Sequence, residues 1–465
     1  MNNSSKQPAA ADIERVLRAN CLEIFQAGVE AADPGRAVNR CLSYSGGQLN
    51  IAQEPLAPRS GSWSAIHVIA FGKAACAMAE AARKIIPEAL LSNNGVIVTN
   101  AENAVSVPGI KVLTASHPLP DAAGFSAARQ IADIARQARA DELLLVLVSG
   151  GGSALIPFPV EGVSLEQKIK TTDLLLASGA TINEINCVRK HLSQLKGGGL
   201  ARFAAPADLH ALILSDVLGD DLSVIASGPT VPDPSTYQDA LAILENRGIR
   251  HNLPLAVIAH LQAGAQGHTT ETPKPGDPIF LNSGHTLIGS NAISVNAIHL
   301  KAQNLGYDSR QYSTHLCGEA RSVAEDLVAY AKQLQSTKLT QPIAVLAGGE
   351  TTVTVTGKGK GGRNQEMALA FACAAEQQHL GGHWTFLSGG TDGRDGPTDA
   401  AGGMVNPDSL GRMRKSGIDP YALLHDNNAY NALIASNDLL ITGATGTNVA
   451  DLQILLIQPE TNTPI

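Results

Sequence analysis

Short apolar runs alternating with longer amphipathic segments are the feature that most constrains the fold of this chain. The run Leu143–Val148 contains six consecutive aliphatic residues, and comparable runs occur at residues 65–71, 95–99, 111–115 and 211–214. Apolar runs of this length between helical patterns are typical of strands buried on both faces of a sheet. The alternation therefore predicts an α/β fold in which helices cover both faces of a mostly parallel sheet.

A polar segment rich in chain breakers divides this alternation into two series. Between residues 251 and 277, glycine, threonine and proline replace the apolar pattern, which predicts a connection between two lobes. Two domains are also the most economical count for a chain of 465 residues. We expect one domain over residues 12–260 and a second over residues 280–460.

The composition excludes several classes of protein. The net charge is −8 and aromatic residues make up 4%, whereas nucleic-acid binding usually requires a basic surface and stacking aromatics. No aliphatic run approaches the roughly 20 residues of a membrane helix, and the first residues lack the apolar core of a signal peptide. The six cysteines include no C-x-x-C pair, as expected for reduced thiols. We therefore expect a cytoplasmic protein that acts on a small molecule, with neither nucleic acid nor membrane as a partner.

Three of the apolar runs end in a pair of glycines followed by a polar residue. These ends read SGGGS at 149–153, GGET at 348–351 and SGGTD at 388–392. Glycine permits positive φ and close approach of a ligand, and successive backbone N–H groups can form an anion-binding nest. Because ligands of open parallel sheets bind beyond the carboxyl ends of the strands, these loops predict a ligand with several anionic groups.

A further glycine-rich segment, GKGKGGR at 357–363, carries three cations. It follows a predicted strand at 352–356 and opens a predicted helix at 364–379. Its glycines match G-x-G-x-x-G, but the next predicted strand does not end in the acidic residue that a dinucleotide site requires. The lysines and Arg363 suit a triphosphate better, and Arg363 can make bidentate contacts with a phosphoryl group. A solvated basic loop is the alternative.

Two acids and a lysine complete the candidate chemistry. Asp216 is the first acid after the run ending at Leu214, and Asp392 is the first after the run ending at Leu387. Mg²⁺ takes one or two carboxylates together with phosphate oxygens, so both acids are candidate metal ligands. Asp216 is also the candidate for orienting the attacking hydroxyl or accepting its proton. Lys73, between a strand and a helix, can reach a phosphate as a point charge; an exposed lysine at the start of a helix is the alternative.

Two other segments hold candidates for substrate contact. His117 lies in the sequence SHPLP, where a contact with substrate and a structural role are equally open. Arg189 and Lys196 belong to a basic segment that ends in three glycines and can hold a small carboxylate.

Taken together, these motifs resemble the class II glycerate 2-kinases, also called the MOFRL family, from one end of the chain to the other. No single motif is specific, but the combination is. The resemblance rests on AFGKAA at 70–75, SGGGSALIPFP at 149–159, NEINCVRKHLSQLKGG at 183–198, SDVLGDDLSVIASGPTVPD at 215–233, GGETTVTVTGKGKGGRNQEMAL at 348–369, SGGTDGRDGPTDAAGG at 388–403 and TGATGTNVADL at 442–452.

The resemblance implies a Rossmann-like N-terminal domain, a smaller MOFRL-type C-terminal domain, and transfer of phosphate from ATP to D-glycerate with Mg²⁺, giving 2-phosphoglycerate. It implies a catalytic centre of Lys73, Asp216 and Arg363. The nucleotide-binding residues expected from it are Ser149, Gly150, Gly151, Gly152, Ser153, Gly357, Lys358, Gly359, Lys360, Gly361 and Gly362. The expected substrate-binding residues are Arg189, Lys196, Asn364 and Glu366.

The chain departs from the family pattern near its C-terminal end, and other functions stay open. Relatives often carry N-D-S-Y where this chain has N-N-A-Y at 427–430, so an acid and a hydroxyl are replaced. Some bacterial relatives are labelled hydroxypyruvate reductases, which makes an NAD(P)H-dependent reductase the alternative function. A non-catalytic sensor of a nucleotide or sugar acid is a third. A homodimer, the preferred sugar acid and the phosphorylated hydroxyl are likewise open.

Overall fold

The computed structural model describes residues 10–53, 56–337 and 339–459. The chain forms two compact units: an N-terminal unit over Pro34–Ile288, and a C-terminal unit that combines residues up to Asp33 with Gly289 and beyond. Helix α1 (Ala10–Ala31) belongs to the C-terminal unit, although the sequence prediction begins the N-terminal domain at residue 12. The reason is its apolar face, which is buried in the core of that unit by Leu17, Cys21, Ile24 and Phe25.

The N-terminal unit contains nine helices and nine strands among its described residues. The helices are α2 (Pro34–Cys41), α3 (Ala75–Ile85), α4 (Ala122–Gln137), α5 (Gly152–Leu155), α6 (Leu165–Ala177), α7 (Ile182–His191), α8 (Gly199–Ala204), α9 (Tyr237–Asn246) and α10 (Leu255–Ala265). The strands are β1 (Leu42–Ser45), β2 (Gln48–Gln53), β3 (Leu56–Gly61), β4 (Ile66–Phe71), β5 (Val96–Thr99), β6 (Lys111–Thr114), β7 (Leu143–Val148), β8 (Asp208–Leu214) and β9 (Ser283–Gly289).

Six of these strands form the central sheet of the unit, in the order β6-β5-β4-β7-β8-β9, with β4 to β8 parallel. Every residue of β4 and β7 is buried, which confirms the parallel sheet predicted from the apolar runs. Counted from β4, the order is 3-2-1-4-5-6, that of a doubly wound sheet. The order reverses between β4 and β7, and ligands of such sheets bind in the crevice at that point.

Two helices of this unit that bear on the site, α6 and α7, begin at clear sequence signals. Ser164 and Thr181 cap them, and each forms a reciprocal capping box with the residue three positions later. The predicted connection between lobes at 251–277 is instead occupied in part by α10, which packs on α9 within the N-terminal unit. The division between the units falls after Ile288.

The C-terminal unit has a sheet of mixed direction. Its further helices are α11 (Asn291–Asn304), α12 (Ala320–Gln335), α13 (Arg363–Gln377), α14 (Ser409–Lys415), α15 (Pro420–His425) and α16 (Ala429–Ser436). Its strands are β10 (Asp308–Leu316), β11 (Ile343–Gly349), β12 (His383–Gly390), β13 (Gly402–Val405), β14 (Leu439–Leu440) and β15 (Asp451–Gln458), in the order β10-β11-β15-β12-β13-β14. The last strand, β15, lies between β11 and β12 and runs antiparallel to both.

The strand predicted at 352–356 is absent from the structure. Thr352 forms an isolated bridge with Glu319, and the following residues bond to side chains rather than to a neighbouring strand. The alternating T-V-T-V-T sequence favours extended backbone, but Val355 is 74% exposed because no sheet covers it. Within the described ranges, no helix is both long and apolar enough to cross a membrane.

Candidate active site

Two loops of the N-terminal unit meet at the point where the strand order reverses. The backbone N–H of Lys73, after β4, donates to the carbonyl of Gly150, after β7, at 2.9 Å. The N–H of Ala74 donates to Oγ of Ser149 at 3.0 Å. Gly72 has φ +120°, and a Cβ there would lie 2.2 Å from that same Oγ. Glycine at 72 therefore permits the close contact between the two loops.

Three side chains that can carry chemistry surround the first glycine loop, residues 149–153. A Cβ built on Gly150 would lie 2.3 Å from Oδ2 of Asp216. One built on Gly151 would lie 3.0 Å from Cδ2 of His117 and 3.5 Å from Cγ of Lys73. The loop is glycine-rich because these side chains occupy the space of a Cβ. Lys73 and Asp216, both predicted as catalytic, are thus brought together here, with His117 beside them.

The electrostatics of this group follow from partial burial. Burial raises the pKa of Asp216, and a backbone hydrogen bond and the charge of Lys73 offset only part of that shift. Burial and the same lysine lower the pKa of His117. The negative charge of the Asp216 carboxylate is therefore only partly balanced, which favours binding of a proton or a cation beside it. The His117 imidazole is biased toward its neutral form.

The backbone of the first glycine loop has donors available for an anion. Ser149 donates its N–H to the carbonyl of Phe71 at 3.1 Å, which completes the strand ladder. Across the described part of the chain, the N–H groups of Gly150, Gly151 and Gly152 find no protein acceptor. Gly151 adopts φ +85° at the sharpest point of the loop. Successive N–H groups of this kind are the donors of an anion nest.

A cavity of about 380 Å³ adjoins the loop, and its lining includes Gly151, Ser153 and His117. Arg189 and Lys196, both predicted to contact substrate, line it too, together with Lys168. Sequence reasoning missed Lys168. The available signal was its helical spacing from Thr171 and Leu175, which together with Lys168 form the buried face of α6.

Arg363 lies in the C-terminal unit, at the start of α13. Its Nε and Nη2 donate to the two carboxylate oxygens of Asp451 at 2.6 and 3.0 Å, and its Nη1 lies 3.0 Å from Oε1 of Glu350. Burial opposes the charge of Arg363, but these two acids outweigh it and raise its pKa. Since two of five N–H donors are used by Asp451, the guanidinium is held in a fixed orientation with donors to spare.

A buried aspartate fixes the start of the same helix. Asp395 accepts from the backbone N–H groups of Asn364 and Gln365 at 3.1 and 2.8 Å, and burial raises its pKa to about 6. Asp392, a predicted metal ligand, accepts from the N–H of Arg394 at 2.9 Å through Oδ1, so this oxygen closes a turn of its own loop.

The second glycine loop, residues 357–362, is held by the protein's own acceptors. Oδ1 of Asn427 accepts from the N–H groups of Thr356 and Gly357, both at 2.9 Å. Asp426 and Asn428 accept in the same way from the two lysines of the loop, Lys358 and Lys360, at 3.0 and 3.2 Å. The N–H groups of residues 357–360 are therefore not free to bind a phosphate, and the loop can offer its lysine side chains and the N–H groups of Gly361 and Gly362, which have no acceptor among the described residues. The Lys360 ammonium lies 4.1 Å from the ring centre of Tyr430.

The structure differs from the prediction for two substrate residues. Asn364 and Glu366 are 1% and 4% exposed. Asn364 accepts from Oγ of Ser388 at 2.6 Å, while Glu366 accepts from Nε of Arg321 at 2.7 Å and Nδ2 of Asn427 at 3.0 Å. The hydrogen bonds of both side chains are thus made within the C-terminal unit, where they hold α13 and the second glycine loop in place.

Comparison with known proteins agrees with the arrangement of these motifs. Residues 343–451 match the model of the MOFRL family, and residues 20–262 match a domain of unknown function, DUF4147. A glycerate 2-kinase of Pyrococcus horikoshii is 40% identical over 438 residues, which cover 94% of this chain and 96% of the relative. The chain belongs to the MOFRL family of glycerate kinases. A D-glycerate 2-kinase of Thermotoga maritima is also 40% identical, over 95% of this chain and 98% of the relative.

Two solved structures superimpose on nearly the whole of this chain. A glycerate kinase of Thermotoga maritima superimposes with a TM-score of 0.84 at 39% identity, covering 95% of this chain and 100% of the other. The PH0495 protein of Pyrococcus horikoshii gives 0.85 at 39% identity, covering 95% and 99%. One relative, 41% identical over 93% of each chain, is named a putative hydroxypyruvate reductase of Agrobacterium vitis.

Proposed function

We propose that this enzyme transfers the terminal phosphoryl group of ATP to the C2 hydroxyl of D-glycerate, with Mg²⁺. The observation that carries the proposal is the cluster of Lys73, Asp216 and His117 around a glycine loop with available N–H donors, at the strand reversal of a doubly wound sheet. Relatives of this chain that are named glycerate kinases add the reaction class.

In this proposal the first glycine loop holds the phosphates of the nucleotide. Its N–H groups bind phosphate oxygens, and Lys73 adds a positive charge at the same loop. Lys358 and Lys360 of the second glycine loop contribute through their side chains. Catalysis rests on positioning and electrostatic stabilisation, since phosphoryl transfer needs little covalent participation by the protein.

Arg363 supplies a second cation for the phosphoryl group during transfer. Its fixed orientation against Asp451 and Glu350 keeps its remaining donors preorganised, which lowers the cost of binding charge in the transition state. Asp216 orients the attacking hydroxyl or accepts its proton, because a poorly compensated carboxylate holds a proton more readily.

The residues present fit a Mg²⁺ ion that binds together with phosphates. Among the described residues, no three His, Cys, Asp or Glu side chains gather into a site that would hold a metal alone. Mg²⁺ usually takes one or two carboxylates and completes its shell with phosphate oxygens and water. Asp216, incompletely compensated beside the glycine loop, is the proposed ligand, with Asp392 as the second. When bound, the ion would neutralise phosphate charge.

The alternative function, an NAD(P)H-dependent hydroxypyruvate reductase, is supported by the name of the Agrobacterium vitis relative. The sequence basis for a nicotinamide site was the G-x-G-x-x-G at 357–362. In the structure this segment does not follow a strand, and the N–H groups of its first four residues bond to residues 426–428. A pyrophosphate therefore lacks the strand–turn–helix setting and most of the donors that this fingerprint normally supplies.

Release of ADP tests the two functions directly. The purified enzyme is incubated with ATP and D-glycerate, with and without Mg²⁺, and the product is identified by phosphorus NMR. We expect metal-dependent ADP release and a single product phosphorylated at C2. Loss of nicotinamide absorbance with hydroxypyruvate, in the absence of ADP release, would instead establish the reductase.

The cysteines agree with a cytoplasmic location, which we also propose. All six are free thiols, and five of them are buried. Unpaired buried thiols are usual in a reducing compartment. A homodimer stays a prediction.

A further inference from the structure

The lining of the cavity beside the first glycine loop carries an excess of positive charge. Lys168, Arg189 and Lys196 line it, and Asp173 is the acid among the lining residues. Asp173 acts electrostatically on Arg189, which leaves the two lysines without an acidic partner in the cavity. The remaining lining residues are neutral side chains, largely apolar ones from α6 and from residues 118–120, and His117.

Both lysines are almost completely buried, yet their hydrogen-bond partners are neutral. Lys168 is 6% exposed and donates to the carbonyls of Leu192 and Arg189 at 2.8 and 3.2 Å. Lys196 is 2% exposed and donates to the Ser153 carbonyl at 2.8 Å and to the hydroxyls of Ser153 and Ser227. Neutral oxygens solvate an ammonium but leave its charge in place, and a buried unpaired charge is costly.

The two lysines differ in what they can still bind. An ammonium has three N–H donors. The three oxygens around Lys196 use all of them, so this residue serves to fix Ser153 at the end of the glycine loop. The two carbonyls around Lys168 leave one donor for a ligand in the cavity. Burial and the charge of Arg189 lower the pKa of Lys168 to about 7, as expected for a cation that lacks a counter-ion.

We propose that this cavity is the acceptor pocket and that Lys168, with Arg189, binds the carboxylate of a short 2-hydroxy acid. In this proposal the carboxylate contacts Lys168 and Arg189, the carbon chain contacts apolar lining residues of α6, and the hydroxyl lies toward Gly151 and His117, which line the same cavity. The inference rests on the proposed function and adds the residue that selects acids over neutral polyols. The phosphates of ATP have their own donors in the glycine loop.

A charge-specific test compares Lys168→Met with Lys170→Met. Lys170 lies on the exposed face of the same helix, so its variant controls for mutation of α6. We expect Lys168→Met to raise the KM for D-glycerate about 10–100-fold, the usual effect of losing a hydrogen bond to a charged group. The KM for ATP should change less than about twofold, and Lys170→Met should match the wild type.

Glyceramide, the neutral amide of glycerate, separates charge recognition from packing. The wild type should bind D-glycerate at least about tenfold more tightly than glyceramide by calorimetry, and Lys168→Met should remove most of that preference. A purely structural role would weaken both ligands equally and would overturn the inference. Equal binding of both ligands by the wild type would overturn it without any variant, which covers the case of a variant that does not fold.

The remaining outcomes separate this inference from the proposed function. A wild type that phosphorylates glycerate, with a Lys168→Met variant identical to Lys170→Met, would refute the pocket and keep the kinase. A rise in the KM for ATP instead of glycerate would assign the cavity to the nucleotide. A wild type that binds glycerate through Lys168 but releases no ADP would refute the kinase and keep the pocket.

Discussion

The two glycine loops have similar composition but differ in how their N–H groups are bonded. The first, at 149–153, follows a buried parallel strand, and the N–H groups of its three glycines have no acceptor among the described residues. The second, at 357–362, follows irregular backbone. Residues 426–428 accept the N–H groups of its first four residues, which leaves those of Gly361 and Gly362 without an acceptor among the described residues. A run of glycines and lysines therefore indicates a flexible basic backbone, while the partners of its N–H groups decide whether that backbone can bind phosphate.

Their neighbours differ in the same way. Beside the first loop, Asp216 and Lys168 are incompletely compensated, with pKa values shifted by burial in the direction that disfavours charge. Beside the second, the buried Asp451 is fully paired with Arg363. Buried charged groups without a counter-charge lower the stability of the fold, and they occur most often at sites where a ligand supplies the missing charge. The groups that lack a full counter-charge thus lie in the N-terminal unit, while Arg363 in the C-terminal unit is held in a fixed orientation.

The largest effect is expected from Arg363→Ala, which tests the preorganised cation. It should lower kcat about 10³-fold, or roughly 4 kcal/mol. It should also lower the free energy of unfolding by about 3–5 kcal/mol, since Asp451 would stay buried without its partner. Steady-state kinetics on protein shown to be folded separates the two effects. Arg394→Ala, in an exposed neighbouring loop, is the control, and a loss below about tenfold in kcat would leave Arg363 a structural role only.

Asp216→Asn tests the uncompensated carboxylate and its dependence on pH. We expect kcat to fall about 10²–10³-fold. Since burial raises the pKa of Asp216, its stabilising contribution is present at low pH and is lost as pH rises through the folded-state pKa.

The ligand-free variant should therefore melt at a higher temperature than the wild type at about pH 7, with the difference vanishing at about pH 4. Thermal melts across this range check the sign. A variant that is less stable than the wild type at neutral pH would contradict the assignment.

A matched pair of alanines compares the two loops themselves. A Cβ at Gly150 would lie 2.3 Å from Oδ2 of Asp216, so Gly150→Ala must displace the carboxylate and should lower kcat about 10²-fold. At Gly361 the nearest atom would be Cβ of Ala429 at 3.5 Å, an ordinary contact. Gly361→Ala should keep kcat within about threefold. Equal losses at both positions would mean that the second loop also cradles phosphate.

The smallest effect on activity is expected from Asn427→Ala, which releases the second loop. The variant loses the acceptor for two N–H groups and the donor to Glu366. Its free energy of unfolding should therefore fall by about 1–3 kcal/mol. The KM for ATP should rise less than about tenfold, because Asn427 holds the N–H groups of Thr356 and Gly357 and the lysine side chains of the loop are exposed. Denaturant unfolding and kinetics measure both, with Asn304→Ala, at the exposed end of α11, as the control. A larger loss of ATP affinity would give the loop a direct role.

The sequence located much of the fold because the relevant signals are local. Runs of aliphatic residues marked β4, β7 and β8, and the residues directly after them proved to be neighbours because parallel strands end at the same edge. Lys73 and Asp216 could be paired on that ground alone. The strand at 352–356 was predicted by the same reasoning and was wrong, since β-branched alternation fits any extended segment and says nothing about a partner strand.

What the sequence determined by itself was the family, the alternation of strands and helices, and the glycine-rich strand ends where ligands can approach. Tertiary structure alone decided which donors and charges remain unmatched there. Asn427 reaches its loop from about 70 positions along the chain, and Lys168 becomes a pocket residue through carbonyls of another helix. Hydrogen-bond partners and desolvation depend on atoms brought together across the fold, and no local pattern encodes them.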